Sequence, residues 1–221
     1  MASFDAVLFD LDGTLLDTAP DFYRVIAELA ERHNLPTPNY QIIRDNASNG
    51  GHAMLTGVFG DTYLKNKDTL HDEFLNHYRQ TPVKTGTLFP GVNDALLWLE
   101  EQAIPWGIVT NKPRDLTERV LTSLNLTERC RTLICPEDVT TAKPDPEGIL
   151  TAIKNTHARV EHSLYFGDHH RDILAGQAAC VPTVACEFGY VTADDNIDLW
   201  NADHRVTHST DLRSFLIHYF D

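Results

Sequence analysis

Four short apolar runs in this sequence are each followed, within a few residues, by side chains that can bind ions or exchange protons. The runs cover residues 6–9, 106–110, 132–135 and 164–166, and each is about as long as a buried strand. The polar residues that follow them are Asp10, Asp12, Thr14, Thr110, Asn111, Lys112, Lys143, Asp168, His169, His170, Arg171 and Asp172. Because an open parallel sheet forms its sites at the carboxyl ends of its strands, we expect these side chains to share one edge.

The charge of such an edge indicates its chemistry. Several carboxylates cannot share a pocket as bare anions, so a cation must neutralise them or their pKa values must rise. Oxygen ligands suit Mg²⁺, which typically takes one or two carboxylates together with a substrate phosphate. A carboxylate can also attack phosphorus and form an aspartyl phosphate, while a metal and an amine offset the charge of the transferring group. These residues therefore indicate phosphoryl transfer with Mg²⁺ as cofactor.

The segments between the apolar runs show helical periodicity. Apolar residues recur at helical spacing over 92–99 and 116–124, and we expect two more helices, one over 146–153 and one after Arg171. A fifth apolar run, residues 183–186, is typical of another strand. Alternating strands and helices predict an α/β fold, with helices on both faces of a parallel sheet.

One interval, residues 16–88, is too long to be a simple crossover and has a helical pattern. Its two apolar stripes are Phe22, Val25, Ile26, Leu29 and Ala30, and Leu70, Phe74 and Tyr78. Pro20 stands near the start of the first stripe, where a helix tolerates proline. Between the stripes lies Arg44–His52, which we interpret as a polar turn containing two glycines. The pattern predicts a small helical domain inserted after the first strand.

The acidic composition of the chain excludes several classes of partner. The 221 residues include 32 acidic and 18 basic residues, a net charge of −14. Such a surface should bind neither nucleic acid nor anionic lipid. We expect no membrane span, because no apolar run approaches the ~20 residues required, and no signal peptide, because the N-terminus has no basic region. The four cysteines lack paired spacing, so free thiols and a cytoplasmic location are expected, with the chain a monomer or weak dimer.

Four segments resemble the signature motifs of the haloacid dehalogenase (HAD) superfamily. They are Asp10-Leu-Asp-Gly-Thr-Leu15, the Thr110-Asn111 pair, Lys143-Pro144 and Gly167-Asp168-x-x-x-Asp172. Each motif is weak alone, whereas the four together, in the matching order, are specific. The resemblance covers the whole chain. It implies a HAD-like, Rossmann-type catalytic core over residues 1–15 and 89–221, and an α-helical cap domain over residues 16–88.

The resemblance also implies catalytic roles. Asp10 would be the nucleophile that takes the phosphoryl group. Asp12 would be the general acid that protonates the leaving oxygen and then the base that activates water, and Thr14 would help to orient it. Lys143 would pair with Asp10 and with the phosphoryl group. An acid at position 12 separates the phosphatases of this superfamily from its dehalogenases.

Other residues would bind the phosphoryl group and the metal. Thr110 and the backbone of Asn111 would hold phosphoryl oxygens. The implied magnesium ligands are Asp10, Asp12, Asp168 and Asp172. Related phosphatases often carry an acid directly after Asp168, where this chain has His169 and His170. Two interpretations stay open: both histidines lie on a surface loop, or His169 reaches a metal-bound water.

The inserted domain resembles the cap of phosphoglycolate phosphatase-like members, which closes over the site and recognises the leaving group. Here Arg44 could grip a carboxylate through two contacts, and Gly50 and Gly51 could let backbone approach the ligand. The segments that carry the resemblance are 9–21, 106–113, 133–139, 143–147 and 188–191, with Asp195, Asn196 and Trp200. They favour N-acetylmuramic acid 6-phosphate, a phosphate ester of peptidoglycan recycling, as the small-molecule substrate. Phosphoglycolate is the alternative, since both molecules carry a carboxylate.

Other classes of function are less consistent with the sequence. A receiver-type signalling domain also gathers acids and a lysine at strand ends, but it has neither an inserted cap nor an acid two residues after the phosphorylated aspartate. A binding protein without catalysis is disfavoured because no motif residue is missing. Another sugar-phosphate phosphatase, or a phosphomutase of the same superfamily, stays open.

Overall fold

The computed structural model describes residues 5–80, 86–192 and 194–220 of the chain. The chain forms two compact units, the first comprising Met1–Leu16 and Leu88–Asp221, the second Asp17–Thr87. The predicted cap domain, 16–88, includes residues 81–85, which lie outside the described residues. Within the described ranges, every helix is too short or too polar to cross a membrane.

Six strands of the first unit form one parallel sheet in the order β5-β4-β1-β6-β7-β8. The strands of the chain are β1 (Ala6–Phe9), β2 (Leu16–Asp17), β3 (Thr87–Leu88), β4 (Trp106–Val109), β5 (Thr132–Ile134), β6 (Ser163–Gly167), β7 (Thr183–Cys186) and β8 (His204–Val206). The predicted α/β fold with a parallel sheet is confirmed. Strand β8 is absent from the sequence-based prediction because His204-Arg205-Val206 contains no apolar run.

The central strands are buried on both faces, which explains why their sequences are continuous apolar runs. Every residue of β1, β4, β6 and β7 is buried. The register aligns Phe9 with Ile108 on one side and with Phe166 on the other. The carboxyl ends of β1, β4 and β6 therefore lie side by side, and the residues that follow them meet at one edge.

Ten α-helices surround or follow these strands in the described parts of the chain. They are α1 (Ala19–Arg32), α2 (Tyr40–Asn46), α3 (Gly50–Phe59), α4 (Asp61–Lys65), α5 (Lys67–Gln80), α6 (Val92–Glu101), α7 (Arg114–Ser123), α8 (Glu147–Thr156), α9 (His170–Ala178) and α10 (Leu212–Phe220). In α6 the buried residues are Val92, Ala95, Leu96 and Leu99, which are the residues of the predicted stripe. Each fully buried leucine of this kind stabilises the fold by about 1.5–3 kcal/mol. Helix α9 starts three residues after the end of β6, so its first turn lies near the polar edge of the sheet.

Helices α1–α5 make up the second unit. The buried residues of α1 and α5 contain both predicted stripes, and they pack on each other through Phe22, whose ring centroid is 6.3 Å from that of Phe74 and 5.1 Å from that of Tyr78. The expected turn over 44–52 is wrong in extent. Residues 44–46 complete α2 and residues 50–52 open α3, so only 47–49 connect the two helices.

Candidate active site

The ammonium group of Lys143 is the centre of a hydrogen-bonded group at the carboxyl edge of the sheet. Its Nζ donates to Oδ1 of Asp10 at 2.8 Å and to Oδ1 of Asp172 at 2.7 Å. It also donates to the hydroxyl of Tyr165 at 2.9 Å. An ammonium has three N–H donors, and these contacts use all three. The structure thus places Lys143 on Asp10, whereas its predicted contact with the phosphoryl group would require one of these bonds to break.

Burial and charge set the protonation of this group. The side chains of Lys143 and Asp10 are only 2% and 12% exposed. Burial disfavours charged Lys143, but the carboxylates of Asp10 and Asp172 outweigh it and raise the pKa of the lysine above its ordinary value. Burial raises the pKa of Asp10; the Lys143 ammonium opposes this shift and the Asp172 carboxylate adds to it. A further cation would favour the ionised form that Asp10 needs as a nucleophile.

Three carboxylates form one cluster at this edge. Asp10, Asp168 and Asp172 each offer an oxygen, and these oxygens lie within 4.8 Å of one another. A set of carboxylate oxygens without sulfur or imidazole fits Mg²⁺ in preference to a softer metal. Asp12, predicted as a ligand, is not in this cluster. Its side chain is instead held by Lys112.

Asp168 is held firmly in this cluster by neighbouring loops. Its Oδ1 accepts from the Thr14 hydroxyl at 3.2 Å, and its Oδ2 accepts from the backbone N–H of Tyr190 at 2.9 Å. Gly13 adopts φ +89°, and a Cβ at that position would lie 2.1 Å from Oδ2 of Asp168. Only glycine allows both the turn and this close approach.

The Thr14 contact corrects a prediction. Thr14 was expected to orient Asp12, but the turn at Gly13 directs its hydroxyl to Asp168 instead. The carboxylate of Asp12 is bound by Lys112, whose Nζ lies 3.0 Å from Oδ1 and 3.1 Å from Oδ2. Both side chains are largely buried, 5% and 14% exposed respectively. Lys112 therefore makes the contact with Asp12 that was expected of Thr14.

Thr110 and Asn111, both predicted to hold phosphoryl oxygens, shape the loop after β4. The Oγ1 of Thr110 accepts the backbone N–H of Lys112 at 3.2 Å. The side-chain amide of Asn111 donates to the carbonyl of Lys143 at 3.0 Å, and its Oδ1 accepts the N–H of Lys143 at 3.1 Å. Asn111 thus fixes the backbone of Lys143 from the neighbouring strand.

His169 is the N-cap residue of α9. Its Nδ1 accepts the backbone N–H of Arg171 at 3.1 Å, and its own N–H donates to Oδ2 of Asp172 at 3.0 Å. Burial, together with the nearby Arg171 cation, lowers the pKa of His169 to about 4. A capping imidazole therefore stands directly after Asp168. His170 is exposed, and its ring stacks on Trp200.

The predicted ligand-binding residues of the second unit lie on its helices. Arg44 is half-buried in the last turn of α2. Gly50 has φ +81° with open space where a side chain would be. At Gly51 the missing side chain accommodates neighbours instead, since a Cβ would lie 2.9 Å from the ring of Phe74 and 3.1 Å from Nε2 of His71. The absence of a side chain at Gly51 thus lets α3 and α5 pack closely, and its role in ligand binding stays a prediction.

Several residues that shape the site were not assigned a role from the sequence. Tyr165 binds Lys143 from inside β6, and Tyr190 binds Asp168 through its backbone after β7. Lys112 was noted at the end of its strand without a role. The sequence offered one signal for Tyr165, which is a residue with a hydroxyl group inside an apolar run. A buried tyrosine hydroxyl usually has a hydrogen-bond partner, and here that partner is in the site.

The fold and this edge together define a class of enzyme. A carboxylate next to a buried lysine, a second carboxylate two residues later and a magnesium-compatible acidic cluster stand where the sheet forms its sites. Residues 7–186 match the family of haloacid dehalogenase-like hydrolases, and the chain belongs to that family.

Curated relatives within this family are phosphatases. The chain is 38% identical over 208 residues, 94% of its length and 92% of the relative, to N-acetylmuramic acid 6-phosphate phosphatase of Pseudomonas aeruginosa. It is 38% identical over 198 residues, 90% of each chain, to phosphoglycolate phosphatase of Xanthomonas campestris. The predicted enzyme class, phosphoric monoester hydrolase, is confirmed.

A crystal structure of a predicted phosphoglycolate phosphatase from Haemophilus somnus shares the fold. Its TM-score is 0.84 at 21% identity, covering 96% of this chain and 98% of that one. At this identity the likeness shows the fold alone.

Proposed function

We propose that this protein is a magnesium-dependent phosphomonoesterase that hydrolyses N-acetylmuramic acid 6-phosphate through an aspartyl phosphate on Asp10. The observation that carries the proposal is the contact of Asp10 with the buried Lys143 ammonium, beside the cluster with Asp168 and Asp172. We also propose that the reaction belongs to peptidoglycan recycling and takes place in the cytoplasm.

In the first step the carboxylate of Asp10 attacks phosphorus and the bond to the leaving oxygen breaks. The electron pair of that bond goes to the leaving oxygen, which takes a proton from Asp12. Lys143 holds Asp10 in place for the attack. Thr110, directly after β4, and the N–H of Asn111 are proposed to hold phosphoryl oxygens.

In the second step water attacks the aspartyl phosphate. Asp12, now a carboxylate, takes a proton from this water, and the P–O bond to Asp10 breaks. The electron pair returns to the Asp10 carboxylate, and inorganic phosphate leaves. Both steps need Asp12 to exchange its proton in one fixed place, so its orientation matters as much as its presence.

Asp10 and Asp168 would hold Mg²⁺, with Asp172 supporting them, because their oxygens form the described cluster. When bound, the ion supplies positive charge that offsets the phosphate and the carboxylates. The role of Asp12 in metal binding, expected from the family resemblance, stays a prediction.

The proposed substrate rests on relatives. A 38% identical relative is named for N-acetylmuramic acid 6-phosphate, and phosphoglycolate phosphatases at the same identity make phosphoglycolate the second candidate. A panel of esters tests this choice. With magnesium present, phosphate release should be fastest from N-acetylmuramic acid 6-phosphate, slower from phosphoglycolate and slowest from glucose 6-phosphate, compared as kcat/KM. A higher kcat/KM for phosphoglycolate would favour the second candidate, and turnover of a sugar phosphate without phosphate release would indicate a mutase.

We also propose that the second unit recognises the leaving group, with Arg44 binding its carboxylate. Arg44→Ala should then lower kcat/KM for carboxylate-bearing esters by about 10- to 100-fold, because a charge-assisted contact contributes about 1.5–3 kcal/mol. It should barely affect para-nitrophenyl phosphate. The ratio of the two kcat/KM values is the quantity to measure, since it cancels damage to folding.

Arg32→Ala is the matched control for this variant, because Arg32 is an exposed arginine of the same unit. It should leave the ratio unchanged. An equal loss on both esters in Arg44→Ala would assign Arg44 a structural role, and the carboxylate would have to be read by another residue of the second unit, such as Asn49 or His52.

A further inference from the structure

Lys112 is a buried cation that directly follows the Thr110-Asn111 pair and was assigned no role from the sequence. Its Nζ contacts both carboxylate oxygens of Asp12, at 3.0 and 3.1 Å. The two residues are 100 positions apart in the chain, so the contact is a product of the fold. It links the loop after β4 to the loop after β1, which are neighbouring strands.

The backbone of Lys112 is anchored on two sides. Its N–H donates to Oγ1 of Thr110 at 3.2 Å, and its carbonyl accepts from the hydroxyl of Thr117 at 3.3 Å. The side chain is 5% exposed. Ordering a lysine side chain costs rotamer freedom, so the contact must offset that cost.

The excess of negative charge at this edge of the sheet also favours a second buried cation. When all four carboxyl groups are ionised, Asp10, Asp12, Asp168 and Asp172 carry two more charges than the ammonium groups of Lys112 and Lys143 offset. The three N–H donors of Lys143 bind Asp10, Asp172 and Tyr165. Lys112 is the ammonium that contacts Asp12.

We propose that Lys112 is a positioning residue for proton transfer, holding the carboxyl group of Asp12 at the angle needed by the leaving oxygen and then by the attacking water. The proposal rests on the proposed phosphatase function. A contact to both oxygens restricts rotation of the carboxyl group, which a single contact would leave partly free. A misplacement of about 1 Å can cost about 100-fold in rate.

The test compares esters that differ in their need for a proton. An alkyl ester, N-acetylmuramic acid 6-phosphate or phosphoglycolate as the panel ranks them, has a poor leaving group that must be protonated. The leaving group of 2,4-dinitrophenyl phosphate departs as an anion. Lys112→Met should lower kcat/KM by about 10- to 100-fold on the alkyl ester and by less than about threefold on the aryl ester.

The aryl ester should also reveal the second step. Because Lys112→Met misplaces the base that activates water, dinitrophenol should appear as a burst of about one equivalent followed by slow turnover. A role in folding alone would lower both kcat/KM values together and produce no burst. Lys112→Arg, which keeps a cation able to make two contacts, should restore part of the selectivity.

A double-mutant cycle separates action through Asp12 from action on the substrate. In the Asp12→Asn background, Lys112→Met should cost less than about threefold more on the alkyl ester, because the two residues work as a unit. Losses that multiply would show that Lys112 binds substrate directly and would overturn the proposal. Lys154→Met, at an exposed position in the last turn of α8, is the control and should change nothing.

Different results would overturn the proposed function and the role of Lys112. A wild-type protein that releases no phosphate from any ester would overturn the proposed function. Wild-type turnover with equal losses on the two esters in Lys112→Met would overturn only the role of Lys112.

Discussion

Replacing Asp10 by asparagine is expected to lower kcat for phosphate release by about three orders of magnitude or more, because an amide cannot attack phosphorus effectively. The substitution keeps the shape of the side chain but removes the nucleophilic carboxylate, and with it the negative charge beside Lys143. It leaves Lys143 with its contacts to Asp172 and Tyr165. Steady-state phosphate release with magnesium present, compared with wild type, is the measurement.

Folding can be checked independently for this variant. Burial raises the pKa of Asp10 in the folded protein, so stability associated with its protonated form is present at low pH and is lost as pH rises through that raised value. At neutral pH asparagine avoids the cost of ionising this group. The metal-free variant should therefore melt at or above the temperature of metal-free wild type.

A matched control is Asp194→Asn, at an exposed position of the first unit, which should keep full activity. Asp10→Asn that retains more than a few per cent of wild-type kcat would contradict covalent catalysis by Asp10.

Removing divalent metal should have an effect of similar size. The cluster holds three carboxylates, of which the ammonium of Lys143 contacts two, and a phosphate ester adds more negative charge. Without a cation the acids repel the substrate and each other. Activity should vanish in excess chelator and return with Mg²⁺, whereas Ca²⁺ should support it poorly because it prefers more ligands and longer distances.

Thermal melting gives a second readout for the metal that does not depend on activity. Binding to the folded state alone stabilises by about 2.7 kcal/mol when the ion is at about 100 times its Kd. Magnesium should raise the Tm of wild type, and Asp168→Asn should abolish that rise. Full activity in excess chelator, or an equal Tm rise in Asp168→Asn, would count against a magnesium site at this cluster.

The sequence predicted the site best where a polar residue follows the end of a strand. Asp10 and Asp168 follow apolar runs that had to be buried strands, and a parallel sheet brings such ends together. Strands β1 and β7 have the predicted bounds, because runs buried on both faces leave a clear pattern. Lys143 was noted at this edge although several residues separate it from its strand, and the resemblance to a known family supplied its pairing with Asp10.

Other features depend on tertiary contacts that local patterns do not contain. Thr14 is two residues from Asp12, yet its hydroxyl bonds to Asp168, because the positive φ of Gly13 redirects the chain. Lysine usually lies on the protein surface, so the burial of Lys112 was not expected, and its partner Asp12 is 100 residues away in the chain. Helix α3 starts with two glycines, which are typical of a turn, and its buried face forms only when α5 packs against it.

The central claim is that Asp10 becomes phosphorylated, and the Asp12→Asn variant offers the most direct test. With para-nitrophenyl phosphate the first step needs little help from an acid, whereas hydrolysis of the intermediate loses its base, so the phosphoenzyme should accumulate. Rapid acid quenching, borohydride reduction and tandem mass spectrometry should then find the reduced residue at position 10, with a burst of about one nitrophenol per protein. Phosphoryl groups on another residue, or steady turnover without a burst and with position 10 unmodified, would contradict the account.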